Sequence, residues 1–137
     1  MTSDTLLQRI RQHQHLRDLR NKLLQLHRML LDTERITYEQ IQGRVSNTEL
    51  LKLALEHEQF AWLRRISELI VQIDQMLQAD EPLSLEDFQN LISGARMLLV
   101  PSEEGNGFAR KYYNALQREP GVVLAHAAVS ELLGSQK

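Results

Sequence analysis

The chain contains no cysteine. That absence excludes disulfides, thiolate zinc sites and a cysteine nucleophile, and it fits a reducing cytoplasm. Proline and glycine are scarce, three and six residues, and they cluster where helices would stop, which leaves long stretches free to run as helix. No run of about 18 apolar residues occurs, and the opening MTSDTLLQRIRQHQHLRDLR lacks an apolar core of signal-peptide length; both facts argue against membrane spanning and export. The signatures of nucleophilic and phosphate chemistry are missing too: there is no G-x-S-x-G, no G-x-x-x-x-G-K-[ST] and no G-x-G-x-x-G. Gly105-Asn106-Gly107 is explained as a turn before a helix, with Arg110 and Lys111 as a weak anion-holding supplement.

What the chain does have is helix periodicity. Its 137 residues suit a single domain, residues 1–137, and 42% hydrophobic with 25% charged residues is an ordinary globular balance. From Asp4 to about Gly43 nothing breaks the helix, and Leu16, Leu19, Leu23, Leu26 and Leu30 recur at spacings of 3, 4, 3 and 4, a heptad seam. Thr37 with Gln40 has capping-box spacing and offers a break near Asp32-Thr33, but without Gly or Pro before Gly43 a single long helix is the better reading. Ser46 with Glu49 caps a second helix, expected to run from about Asn47 through FAWLRRISELIVQIDQML to Gln78. Ser84 with Asp87 starts a third, closed by Pro101. A fourth runs from Phe108 to about Gln117, and Glu119-Pro120-Gly121 separates it from the terminal apolar stretch VVLAHAAVSELL. The expected fold is all-α: an up-down bundle of about four helices with a long first helix and a split last one.

A first helix of about 40 residues would be roughly 60 Å long, more than partners of 15 to 30 residues can cover. The spare part of the seam then needs another surface, so residues 1–25 are expected to project as an oligomerisation helix. Leu16, Leu19, Leu23, Leu26 and Leu30 would form the interface of a homodimer. Residues 1–28 hold six Lys/Arg against two Asp, a net of +4, which leaves −6 for the remainder of a chain at −2. Those basic residues are interleaved with the leucines and not with aromatics, so the pattern speaks against nucleic acid.

Two polar residues interrupt the widest apolar arc. Ser67 and Asp74 stand one heptad apart within Phe60 to Leu77, on the same face as Leu63 and Ile70. A carboxylate there demands a partner. The candidates are His126, set among valines and alanines, and the group Arg110, Tyr112 and Tyr113. An Asp–His pair in a bundle serves as a packing contact that sets register, or as a proton-transfer or ligand site. Metal binding is not expected, and no cofactor is implied: di-iron bundles use Glu-x-x-His, and none of the five histidines follows a glutamate at that spacing. His13, His27 and Glu34 share a face at heptad intervals, too far apart to chelate together within one chain but usable across a dimer. Phe60 and Trp62 point in different directions on a regular helix, so one contacts a neighbouring helix while the other reaches a cleft or interface; core packing is the leading expectation, with Trp62 at a partner surface as the alternative.

HRMLLDTER from His27 with Tyr38-Glu39, FAWLR from Phe60 leading to SELIVQID from Ser67, and Tyr112–Leu116 with Val122–Ala128 resemble a family of small, uncharacterised helical proteins from bacteria. The resemblance implies a bacterial, cytoplasmic origin and carries no activity over. The leading functional expectation is therefore an interaction or oligomerisation module without catalytic activity, with an unknown protein partner. The rival is a small-molecule or metal-binding bundle built around Ser67, Asp74, Arg110, Tyr112 and His126.

Overall fold

The computed structural model describes residues 3–105 and 107–134; Asn106 and both ends of the expected 1–137 domain lie outside them. Those residues form six α-helices and one 3₁₀ turn, with no strand among them. None of the helices is long and apolar enough to cross a membrane.

Helix α1, Ser3–Gln42, is continuous for 40 residues. The candidate break near Thr33 does not form, because the Thr33 hydroxyl donates back to the Met29 carbonyl (3.0 Å) and Thr37 to that of Thr33 (3.2 Å). Both hydroxyls are thus satisfied inside the helix. Gly43 stops it with φ +88°, a left-handed conformation that glycine adopts without a Cβ penalty. Glu39 secures the turn by accepting from the Val45 amide (2.9 Å), a bond that holds its carboxyl below the usual range, aided by Arg35.

The expected second helix is two. Helix α2, Asn47–Glu56, starts on the capping box, with Ser46 accepting from the Glu49 amide and the Glu49 side chain accepting from that of Ser46. It stops at His57, whose backbone is extended and whose Nδ1 accepts from the Gln59 amide (3.0 Å). A 3₁₀ turn, Glu58–Leu63, follows before helix α3, Arg64–Gln78. Arg64 then reaches back to the abandoned end of α2, donating from Nε to the Ala54 carbonyl (3.2 Å) and from Nη2 to that of His57 (3.3 Å). These bonds satisfy carbonyls that a helix end leaves open, and the turn lets Phe60, Trp62 and Leu63 all face inward. Phe60 and Trp62 are therefore both core residues, although residues two apart point in different directions on a regular helix.

Ser84 caps helix α4, Leu85–Leu98, through the Asp87 amide (3.0 Å), as expected. Helix α5 is Gly107–Arg118 and α6 is Pro120–Gly134, whose leading proline suits the first position of a helix.

Helix α1 makes its largest contacts with α6 and α3. Both run antiparallel to it. Residue 20 faces 74 and residue 27 faces 67 across α3, while Gly121 comes against Met29, and His15 bonds the Leu132 carbonyl (2.9 Å) across α6. The leucine seam is therefore sandwiched between α3 and α6, and Leu16, Leu19, Leu23, Leu26 and Leu30 are fully buried within one chain. This corrects the premise of the expected interface. The covering helices overlap along α1 on two sides, and α4 faces residues 8–15 across an open cleft, touching α1 where Phe88 meets the His15 ring edge to face. The first turns expose Leu6, Leu7 and Ile10, and farther along α1 Leu24, Ile36 and Ile41 also face outward, away from the seam.

Candidate functional site

Three polar contacts cross from α1 to the returning chain at heptad intervals, beside the leucine seam. Arg20 Nε donates to Asp74 Oδ1. His27 Nε2 lies 3.0 Å from Ser67 Oγ. Glu34 accepts from Trp62 Nε1 (3.3 Å) and, with its other oxygen, from Gln59 Nε2 (2.9 Å). On an antiparallel pair such rungs recur in step, because residues seven apart return to the same face of each helix.

The expected set of Ser67, Asp74, Arg110, Tyr112 and His126 is not one site. Asp74 pairs with Arg20 and not with His126; the two side chains are 32% and 34% exposed, respectively, so this ion pair is half in water. Ser67 belongs to His27. Arg110 is exposed on α5, with no hydrogen bond or ion pair among the described residues. Only Tyr112 and His126 meet: the phenol oxygen is 2.6 Å from Nδ1, and Nε2 faces Ser130 Oγ at 3.3 Å. Burial raises the Tyr112 phenol above its ordinary value and lowers the imidazole, so both stay neutral near pH 7. In that state the phenol donates to Nδ1, and the proton on Nε2 points to Ser130. Trp62, Phe108, Tyr112 and His126 stack in sequence with ring centroids 5.4, 5.4 and 5.3 Å apart. This is a packed ladder joining the 3₁₀ turn, α5 and α6.

The middle rung opens on a cleft. Between α1, α2 and α3 lies a cavity of about 350 Å³, walled by Leu31, Leu50, Leu63 and Ala54, with His27 and Ser67 in its lining. Asn47, Leu51, Leu55 and Arg64 complete it. Leu51 and Leu55, one turn apart on α2, are 61% and 66% exposed and form an apolar lip. No carboxylate lines the cavity. Arg64 has no ion pair among the described residues; its bonds go to carbonyl oxygens, which do not neutralise a guanidinium. Desolvation holds the His27 imidazole below its ordinary value, so it is neutral near pH 7.

Serine and histidine at 3.0 Å have the spacing of a nucleophile and its base. Among the described residues no carboxylate bonds His27 to orient it, so the pair reads as a polar floor able to exchange a hydrogen bond with an occupant.

Elsewhere the structure offers less. A second cleft, of about 390 Å³, lies between the end of α1 and α2; Tyr38, Val45, Leu53 and His57 line it together with the charged Glu49, Lys52 and Glu56. Among the described residues no three His, Cys, Asp or Glu side chains converge as for a metal ion.

Sequence reasoning missed His27 and Glu34 as the partners of Ser67 and Trp62. The available signal was the heptad pattern on both sides, Arg20, His27 and Glu34 on α1 against Ser67 and Asp74 on α3. Comparison with protein-family models, with curated proteins and with solved structures finds no significant match.

Proposed function

We propose that this chain is a non-catalytic helical binding module that holds its ligand in the cleft between α1, α2 and α3. The observation that carries the reading is the pairing of an apolar cavity with an exposed lip, Leu51 and Leu55, beside the His27–Ser67 contact. Apolar walls with a few convergent polar groups are the usual composition of a small-molecule site, and the cavity volume lies at the lower end of that class. The His27–Ser67 pair takes the place that the sequence suggested for Asp74 and His126. Self-association keeps a route only through faces other than the leucine seam, whose side chains the domain's own helices consume.

A neutral, environment-sensitive naphthalene dye tests this reading. Saturable binding to the native chain is expected, and Ala54→Phe, which fills the cleft from α2, should weaken it by about tenfold or more without loss of helix content. Equal binding by the filled variant would move the site elsewhere.

A further inference from the structure

We infer that the ligand of this cleft is a small aliphatic monocarboxylate, its chain lying under α2 and its carboxylate held by Arg64 beside the His27–Ser67 pair. The inference rests on the cleft being a binding site and names the chemistry it selects. Leu31, Leu50 and Leu63 offer no hydrogen bonds to an occupant, and Leu51 and Leu55 leave apolar surface uncovered at the lip. That surface suits an alkyl chain.

The charge specifies the head. Arg64 is half-buried at the edge of this apolar cavity, and two of its N–H groups are taken by the Ala54 and His57 carbonyls. A guanidinium carries five donors, so others are left, and its charge has no acidic counterpart among the lining residues. Burying a cation without an opposite charge is costly, and an incoming carboxylate relieves that cost while meeting planar donors that match its two oxygens. Ser67 stands one turn after Arg64 on the same face of α3, and its hydroxyl can turn from His27 toward a ligand oxygen. A cation would meet only Arg64, and a dianionic phosphate would find one positive charge and mostly apolar walls. A single carboxylate on a short chain matches both the charge and the cavity of about 350 Å³.

The test is an NMR titration of the whole chain with sodium octanoate, 1-octanol and sodium butyrate, following the His27 imidazole and the Leu51 and Leu55 methyl groups. Octanoate should shift these resonances saturably, and octanol and butyrate should each bind at least about tenfold more weakly. Arg64→Gln should weaken octanoate by about tenfold and leave octanol unchanged, while Arg64→Lys should retain part of the preference. Because Arg64 also caps α2, the wild-type comparison decides alone if the Gln variant does not fold. Octanol binding as tightly as octanoate would overturn the carboxylate assignment and leave the cleft standing as an apolar site. If no probe moves these resonances, both the assignment and the binding-module reading fall.

Discussion

Ser67 and His27 form the middle rung of the α1–α3 contact, 3.0 Å apart and 40 residues apart in sequence. With Arg20 and Asp74 one heptad to one side, and Glu34 with Trp62 and Gln59 to the other, the pair sets which turn of α3 lies against which turn of α1. Leucines alone would tolerate a shift by one heptad, since they present the same surface every seven residues. The rungs would not. A heptad slip in one direction opposes Arg20 to Ser67, a slip in the other opposes His27 to Asp74, and either takes Glu34 away from Trp62 and Gln59. Unequal polar partners along an apolar seam are a recognised means of specifying register.

A double-mutant cycle measures that pairing. Ser67→Ala and His27→Leu should each cost about 1 kcal/mol, because each strands one partly buried partner. The double variant should cost less than the sum of the two and no more than either single one, since no orphan remains. Urea unfolding of the four proteins checks it; strictly additive losses would mean that the two side chains act independently.

The outer rung should matter less. Arg20 and Asp74 are each about one-third exposed, at 34% and 32%, so water and salt screen the pair. Asp74→Asn is expected to cost less than about 1 kcal/mol and to cost less still at high salt. A loss of several kcal/mol in thermal or urea unfolding would show that the pair is shielded from solvent.

Leu23 distinguishes core from interface. It is fully buried between α3 and α6 in a single chain. Leu23→Ala should therefore cost about 2 to 5 kcal/mol independently of protein concentration, and Leu23→Asp should abolish folding. Leu124→Asp, at a highly exposed position on α6, should leave stability nearly unchanged. A folded, soluble Leu23→Asp monomer, seen by circular dichroism and sedimentation, would restore the seam as an intermolecular surface.

The all-helical class, the unbroken α1, the caps at Ser46 and Ser84 and the division at Pro120 were all legible, because each is written in local spacing. The interruption at His57 was not. EHEQFAWL has no proline or glycine, and the helix ends there because of non-local gains: Phe60, Trp62 and Leu63 all reach the core, Glu34 meets Trp62 and Gln59, and Arg64 closes the end of α2. The partner of Asp74 was misjudged for a related reason. The apolar company of His126 is visible in its sequence neighbours, but Arg20 gives no sign that it faces α3 until the direction of α3 along α1 is known. The cleft was equally hidden, since it exists only because α2 folds away from α3 at His57.

Two histidines make stability depend on pH in one direction. Burial lowers the imidazoles of both His27 and His126 below their ordinary value, so the unfolded chain binds protons more readily than the folded one. A group whose folded value is lowered in this way contributes nothing to pH dependence while both states are neutral, well above about pH 6.5. As pH falls through about 6.5 toward the folded value, the unfolded state gains protons first and stability is lost. At His126 the cost has a structural form: a proton on Nδ1 would compete with the one the Tyr112 phenol donates, and that phenol is fully buried. His126→Gln and His27→Gln, each of which replaces the imidazole by a side chain that does not titrate, should flatten the decline in urea midpoint between about pH 7.5 and about pH 5. The two effects should be additive, because the histidines sit in separate contacts, His27 between α1 and α3 and His126 between α6 and α5. An unchanged slope in the double variant would show that neither histidine carries the acid sensitivity in this window; Glu39, whose carboxyl is held low by the Val45 amide, loses its contribution only below about pH 4.5.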